Sequence, residues 1–358
     1  MSGQSTVALL LAVALLPATG AAAEHDLVIF GDAQVVRGSD VDPEPSHVND
    51  EIFGADLLFS LESHALRMFG EYRLTNDESE LERLLVGWKA SDNLVLSLGR
   101  SHQVNSVWTF EHHHGQYLQT SVTRPAIEEW EDMDGIVPQH FVGLLIESRV
   151  PLQRGRGLEI KAGWGLAPVI TEDGLEPLDL VDIGAYSHMG SAQVRVEFLP
   201  DELGESRIGL VLAQNEINWQ GPPPEDSAPI DHVDQFSVGV FAKHAHSPWA
   251  VFGAAYYIRS DVQYAGSGRD ADNLVAGYVQ AERTLPHALV GYVRCEGSSG
   301  ASDSAYVRLF DDFAVSRSVL GIRWDFARKH ALTLEVGHAS NIQDAYAEYR
   351  LQWSAALL

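Results

Sequence analysis

The chain has 358 residues, and its 50 acidic side chains against 24 lysines and arginines give a formal net charge of −26. This excess of negative charge excludes proteins that bind nucleic acids or anionic membrane surfaces through basic patches, and it favours cations near the protein surface. Because Cys295 is the one cysteine of the sequence, the fold cannot depend on internal disulfide bonds.

The N-terminus has the pattern of an export signal. Val7–Leu16 is an unbroken apolar run, Pro17 interrupts it, and Ala21–Ala23 supplies the small residues of a cleavage site. The residues before the run include no lysine or arginine, which departs from the usual signal. The run is also shorter than the roughly 20 apolar residues that a membrane-spanning helix needs. We therefore expect residues 1–23 to be a cleaved signal peptide and 24–358 to form one domain.

Most of the following chain alternates between apolar and polar residues in segments of roughly ten, the pattern of β-strands with two different faces. In Ala192–Phe198, the apolar residues of one face alternate with Gln193, Arg195 and Glu197 on the other. We expect each such segment to be a strand between an apolar and a polar environment. The clearest other segments are Ala65–Leu74, Leu81–Lys89, Leu158–Trp164, Leu320–Phe326 and Tyr349–Trp353.

Two details favour a transmembrane barrel over a soluble β-sandwich, whose strands also alternate. The polar face carries full charges and glycines in strand after strand, as expected for a water-filled lumen. Aromatic residues of the apolar face often lie near strand ends, as in the interfacial girdles of membrane barrels. These aromatic residues are Trp88, Trp164, Phe198, Trp324 and Trp353.

The connections between the predicted strands alternate between short and long. Short ones such as Ala90–Asn93 and Leu285–His287 separate long ones such as Ala167–Met189, which is typical of barrels with tight turns at one end and long external loops at the other. Both chain ends fall on the short-turn side, so the sheet can close, and closure pairs the backbone polar groups that lipid cannot satisfy. We predict an all-β fold, a closed antiparallel transmembrane β-barrel of about 16 strands.

In this architecture the chain resembles the sixteen-stranded porins of the bacterial outer membrane. The resemblance extends over essentially all of residues 24–358 and lies in strand number and loop asymmetry, not in a diagnostic motif. It implies export to the outer membrane, contact with membrane lipid and lipopolysaccharide, passive diffusion of small hydrophilic solutes or cations, and a homotrimer as one state of assembly. Neither a cofactor nor a nucleic-acid partner is expected.

The third long connection, His102–Pro138, interrupts the strand rhythm with four histidines and six acidic residues. In the porins that the chain resembles, the third external loop folds into the barrel and narrows the pore, often with acids opposite basic residues of the wall. The tryptophans and other aromatic residues of this segment favour an ordered loop that packs inside the barrel. The resemblance thus implies a constriction formed by Glu111, His112, His113, His114, Glu128, Glu129, Glu131 and Asp132, opposite Arg67, Arg73, Arg83 and Lys89.

The triplet His112, His113 and His114 supports an alternative. Neutral imidazoles bind zinc, copper or nickel, and the nearby Glu131 can complete such a site. Adjacent histidines cannot all reach one ion from a regular element, however, and HExxH and CxxC spacings are lacking. The alternative function is a metal-binding or partner-binding outer-membrane barrel that holds a divalent ion at these four residues. The simpler interpretation is a polar loop whose histidines change charge at about pH 6 to 7.

The other long connections are rich in acids. Residues 38–50 and 167–189 include several aspartates and glutamates but no lysine or arginine. We expect a negative vestibule that attracts cations and repels anions, most strongly at low salt. The sequence has no GxSxG motif and no phosphate-binding glycine loop, so we do not predict an enzyme.

Overall fold

The computed structural model describes most of the chain, and the predicted signal peptide at residues 1–23 lies outside the described part. The described residues are 24–39, 49–76, 79–112, 116–133, 135–171, 174–180, 187–221, 229–266 and 268–357. Their strands are β1 (Glu24–Gly38), β2 (Glu51–Glu62), β3 (Leu66–Thr75), β4 (Ser79–Ser91), β5 (Leu94–His102), β6 (His140–Leu152), β7 (Arg156–Leu166), β8 (Val169–Thr171), β9 (Gly174–Glu176), β10 (Gly190–Leu199), β11 (Arg207–Asn218), β12 (Ile230–His246), β13 (Trp249–Tyr264), β14 (Arg269–Leu285), β15 (Leu289–Ser299), β16 (Ser316–Ala327), β17 (His330–Ser340) and β18 (Ala345–Ala356).

Sixteen of these strands close into one antiparallel barrel, in which neighbours along the chain pair and β1 pairs with β18. This topology confirms the predicted fold class. The short turns all lie at one end and the long connections at the other, and Glu24 is paired with Glu62 at the short-turn end, as predicted. Strands β8 and β9 form a separate hairpin, which the sequence pattern does not predict because three-residue strands are too short to show an alternation.

The long connection between β5 and β6 contains the first helix, α1 (Val107–His112). Three single turns of 3₁₀ helix follow it, at Gln116–Leu118, Ala126–Glu128 and Glu131–Met133. Another such turn, Val307–Leu309, lies between β15 and β16. No helix in the described part of the chain is both long and apolar enough to cross a membrane.

Exposure follows the predicted alternation along the strands. Gln193, Arg195 and Glu197 point into the barrel and are buried, whereas the outward Trp164 and Leu320 are 71% and 62% exposed. Similar large apolar residues cover the exterior of most strands, and a soluble monomer rarely exposes so extensive an apolar surface. The exterior therefore has the character of the lipid-facing band of a membrane barrel.

The main hydrophobic core lies inside the barrel, on one side of the lumen. Inward residues of β11–β14 pack there against the connection between β5 and β6 and against the connection between β15 and β16. A lumen lined only by water would have no such core, so these two connections fill part of the interior. Central members are Val107, Trp108, Ile136, Ile217, Val233, Phe252, Tyr278, Tyr306 and Phe310.

Candidate functional site: a lumen crossed by an inner loop

Residues 103–139 are here called the inner loop, and its described residues, 103–112, 116–133 and 135–139, lie inside the barrel. Trp108 is only 1% exposed, because its ring stacks on Phe252 of β13 at 5.8 Å and meets the edge of Tyr278 of β14 at 5.9 Å. At the end of the loop, Gln235 of β12 donates a hydrogen bond of 3.1 Å to the carbonyl of Ile136. These wall residues point inward, so the contacts hold the loop against the lumen side of β12–β14.

Glu128 joins the inner loop to β13 and β14. Its buried carboxylate accepts hydrogen bonds from the hydroxyls of Tyr256 at 2.6 Å, Tyr278 at 2.9 Å and Ser106 at 2.8 Å, and also from the backbone N–H of Trp108. Four donors to one buried carboxylate replace the water that it loses on burial. Glu128 therefore fixes the loop by hydrogen bonds and does not line an open channel as a free charge.

Strands β15 and β17 hold the middle of the inner loop through a buried Arg294 and a buried Glu335. Arg294 donates hydrogen bonds to the carbonyls of Thr123 at 2.8 Å and Arg124 at 3.0 Å. Glu335 accepts hydrogen bonds from the backbone N–H groups of Val122 at 2.9 Å and Thr123 at 3.2 Å. Because these wall groups satisfy polar atoms of the loop backbone, the loop can be buried without helix or sheet pairing.

Glu111 contacts a different part of the wall. It forms ion pairs with Arg207 of β11 at 2.6 Å, Arg195 of β10 at 3.4 Å and Lys243 of β12 at 3.9 Å. The predicted partners of this acid lie on β3 and β4, and these contacts with β10–β12 correct that prediction.

The last turn of the inner loop returns to β4 and β6. Glu131 accepts a hydrogen bond of 2.8 Å from the backbone N–H of Gln139 and lies 2.5 Å from Nδ1 of His140. The other ring nitrogen of His140 lies 3.1 Å from Glu82 of β4, and the imidazole stacks on Trp130. His140 thus links the loop carboxylate to a wall carboxylate, a role that the sequence did not indicate.

The four basic residues predicted to oppose the loop are each paired with a carboxylate of the wall. Among the acids of the loop, Glu131 contacts His140 and Glu111 contacts Arg207. These described contacts therefore do not join the loop acids to the expected residues of β3 and β4. The role of these side chains in a constriction stays a prediction. The wall pairs are Arg67 with Glu147, Arg73 with Asp56, Arg83 with Glu71, and Lys89 with Glu62.

Other basic residues contact the inner loop, and sequence reasoning did not select them. Arg323 of β16, for example, donates hydrogen bonds to the carbonyls of Tyr117 at 2.8 Å and Gln119 at 2.6 Å. The alternation does place several of them on the polar face of their strands, but it does not indicate which half of the wall the loop approaches. The set is Arg195, Arg207, Lys243, Arg294, Arg317 and Arg323.

His112 lies at the end of α1 and packs against Trp108, with 4.7 Å between ring centroids. Burial, with smaller contributions from nearby cations, lowers the pKa of His112 to about 3. This imidazole therefore does not change charge near neutral pH, contrary to the simpler interpretation of the loop. His113, His114 and the side chain of Asp132 lie outside the described part of the chain. Since Glu131 contacts His140, the predicted metal site stays a prediction without support from the described contacts.

A cavity of about 350 Å³ remains between the inner loop and the side of the wall that includes β1–β4, and Arg317 of β16 and Arg350 of β18 also line it. Arg73 lines it together with Glu129 and Glu131, so one predicted basic residue does share a space with two predicted acids. Burial raises the pKa of Glu129, although Arg317 and Arg124 oppose this shift. The titratable lining comprises His140, eight carboxylates, Asp32, Asp50, Glu80, Glu82, Glu129, Glu131, Glu176 and Asp312, and four arginines, Arg73, Arg124, Arg317 and Arg350.

No protein-family model matches the sequence, and a comparison with curated protein sequences gave no match. Solved structures of similar fold include an anion-selective porin from Comamonas acidovorans, with a TM-score of 0.59, 10% identity and coverage of 93% of this chain and 100% of that chain. The outer-membrane channel DcaP of Acinetobacter baumannii has a TM-score of 0.57 and 12% identity, covering 94% and 97%. OmpF of Salmonella typhi, in complex with daunomycin, has a TM-score of 0.54 and 14% identity, covering 92% and 97%.

At such low identity the comparisons concern the fold. They confirm the predicted resemblance in architecture, because the chain has the closed sixteen-stranded barrel of outer-membrane porins and channels over nearly its whole length. Residue roles have to be argued from this chain itself.

Proposed function

We propose that the chain is a passive diffusion channel of the bacterial outer membrane, in which the inner loop narrows the lumen. The observation that carries this proposal is the position of the loop: most of its described hydrogen bonds are to β10–β18, its last turn reaches β4 and β6, and a cavity remains beside β1–β4. The exposed apolar exterior and the porin-like fold support the location. Transport would be diffusion biased by charge, with no covalent step.

The proposed channel prefers cations. Eight carboxylates against four arginines line the cavity, and the whole chain has a net charge of −26. Fixed negative charge around a narrow passage raises the local concentration of cations and lowers that of anions. The Comamonas acidovorans porin is named for selectivity of the opposite sign, so the shared fold does not fix the preference and the lining must decide it.

The proposal also covers the partners, the assembly and the export of the channel. The partners would be outer-membrane lipid and lipopolysaccharide on the exterior, and small hydrophilic solutes or cations in the lumen. The apolar exterior also offers surfaces on which a homotrimer can form. Residues 1–23 would act as the export signal.

The direct test is the reversal potential of the purified protein in a planar lipid bilayer. Under a tenfold KCl gradient centred on about 0.1 M, where the Debye length is about 10 Å, we expect stepwise conductance and a reversal potential of the sign for K⁺ preference. Excess salt on both sides reduces the preference because it screens the fixed charges. A non-conducting protein would contradict the channel, and a reversal potential of the opposite sign would contradict the cation preference alone.

A further inference from the structure

A second cluster of titratable side chains lies on the outer surface of the barrel, away from the lumen. Glu216 of β11 is paired directly opposite Asp234 of β12, and His232 lies two residues before Asp234 on the same face. The intervening Val233 is buried, whereas Phe236, on the same face as Asp234, is 43% exposed. The cluster therefore faces outward, where the apolar band ends near the long connections.

The ligand atoms of these three side chains are close enough to share one ion. One imidazole nitrogen and one oxygen from each carboxylate all lie within 4.8 Å of one another. Nε2 of His232 is 3.7 Å from Oδ2 of Asp234. In a tetrahedral site with bonds of about 2.0–2.1 Å, ligand atoms lie roughly 3.3 Å apart, so small side-chain rotations bring this set to the required spacing.

Asp231 orients the histidine for this purpose. Its Oδ2 lies 3.0 Å from Nδ1 of His232, and because a carboxylate only accepts hydrogen bonds, Nδ1 must carry the proton. The lone pair of the neutral ring then lies on Nε2, the nitrogen that faces Asp234. A carboxylate that holds the remote N–H of a histidine is the usual second partner of a metal-bound imidazole.

An irregularity in β12 makes this contact possible. The pairing with β13 shifts between Ile230 and His232, which leaves Asp231 as an extra residue in β12. Consecutive residues of a regular strand point to opposite faces, whereas a bulge redirects one side chain. Here it allows Asp231 and His232 to meet, and bulges are frequent beside functional sites.

The cluster lacks an internal cation. On β13, Asp261 lies opposite Asp234, and both Arg269 at 2.5 Å and Arg259 at 3.3 Å form ion pairs with Asp261 instead of with the cluster. Within the described residues, no lysine or arginine forms an ion pair with Glu216 or Asp234. Like charges directly opposite on neighbouring strands are destabilising, and an external cation would remove that repulsion.

We propose that Glu216, His232 and Asp234 bind one divalent transition-metal ion of the zinc class, with Asp231 as the positioning residue for His232. The mixed nitrogen and oxygen ligands suit zinc better than calcium or magnesium, which prefer oxygen alone. Three protein ligands leave at least one coordination position open to water. The site is separate from the inner loop and from the proposed passage of solutes.

The test uses the folded full chain in detergent after treatment with a chelator. ZnCl₂ is titrated into this protein, binding is measured by isothermal calorimetry, and a parallel titration uses CaCl₂. We expect one saturable zinc site per chain and no competition by calcium. His232→Ala should remove the site. Asp231→Asn should weaken binding by about 10–100-fold, as for other outer partners of metal-bound histidines, and Asp231→Glu should restore part of the affinity.

Two controls make the result specific. His338 is an exposed, outward histidine of β17, at the same end of the barrel as the cluster, and it lies opposite Ser318 and Ala347 instead of carboxylates. His338→Ala should therefore leave zinc binding unchanged. The triple variant His112→Ala, His113→Ala and His114→Ala tests the loop instead and should also bind zinc normally. Absence of saturable zinc binding, unchanged affinity in His232→Ala, or loss only in the triple variant would overturn the proposal, provided that each variant keeps the heat-modifiable gel mobility of a folded barrel.

Discussion

Tyr256 and Tyr257 are neighbours in β13, and their side chains point to opposite sides of the barrel wall. Tyr256 is buried in the lumen and donates a hydrogen bond to Glu128, whereas Tyr257 faces outward and donates to Asn273 at 2.5 Å. Space for the inward ring depends on Gly239, since a Cβ at that position would lie 2.6 Å from Cδ1 of Tyr256. At the residue scale, the position of the inner loop thus depends on buried hydrogen bonds such as that of Tyr256, whereas the exposed hydrogen bond of Tyr257 does not involve the loop.

This pair predicts an asymmetric effect of removing one hydroxyl. Tyr256→Phe leaves the buried Glu128 carboxylate short of one donor, which should lower the free energy of unfolding by about 1.5–3 kcal/mol. Tyr257→Phe is the matched control and should change it by less than about 0.5 kcal/mol, because its bond is exposed to solvent. Urea unfolding in detergent, followed by tryptophan fluorescence, measures both. Equal effects of the two substitutions would contradict the anchoring role of Glu128.

As an element, the inner loop has little regular structure of its own. Beyond α1 and three single turns, its backbone polar groups bond to the wall, with Arg294 and Glu335 holding both sides of Thr123. Such a segment is ordered by the barrel around it, so its stability is a local quantity that can be lost while the barrel stays closed.

Removing both anchors should release the loop. In the double variant Arg294→Gln and Glu335→Gln, we expect a glutamate-specific protease to cut near Glu128 at least about tenfold faster, equivalent to about 1.4 kcal/mol of lost local stability. Arg37→Gln with Glu51→Gln is the control, because this exposed ion pair of 2.7 Å lies outside the loop contacts. If the double variant resists cleavage as the unaltered chain does, the two anchors do not hold the loop.

For the whole molecule, charge is distributed in two ways. Most ionised groups of the inner wall are paired, as in the series Arg294, Glu296, Arg317 and Glu348. Some carboxylates that line the cavity also have basic partners, such as Glu131 with His140, but the lining as a whole holds more carboxylates than arginines. Paired charges contribute little net field, so the selectivity of the proposed channel depends on this excess. It should therefore respond to the protonation of individual lining acids.

Glu129 is one acid of the cavity lining whose effect on the pH dependence can be tested. Because burial raises the pKa of Glu129, its negative charge is lost at a higher pH than for an ordinary glutamate as the solution is acidified. The cation preference should therefore fall between pH 8 and pH 5. Folding stability responds differently from selectivity. Because the pKa of Glu129 is higher in the folded protein than in the unfolded chain, the folded state takes up this proton more readily, and protonation of this residue does not lower the stability.

The measurement is the reversal potential at both pH values for the unaltered chain and for Glu129→Gln. The variant should show roughly half the cation-to-anion permeability ratio at pH 8 and a smaller change on acidification. Asp92→Asn, in the turn between β4 and β5, is a control away from the cavity. A pH response as large in Glu129→Gln as in the unaltered chain would assign the effect to other groups.

The local sequence pattern was sufficient for the barrel and insufficient for the site. Alternation indicated the inward face of the clearest strands, although Ala250–Ile258 and Leu274–Glu282 were ambiguous. The order of short and long connections gave the strand count, because backbone pairing in a closed barrel requires it. Arg195, Arg323 and Arg350 were visible on the polar face. Their roles were not, since facing the lumen does not specify what else lies there.

The sequence by itself thus determined a closed sixteen-stranded barrel with an acidic, aromatic-rich third long connection. Only the tertiary structure decided that this connection packs mainly on β10–β18, that Glu111 pairs with Arg207 and Glu131 with His140, and that the cavity includes Arg73. Strand patterns arise from neighbours along the chain. The path of a loop through a lumen depends instead on contacts between residues far apart in sequence, which no local pattern encodes.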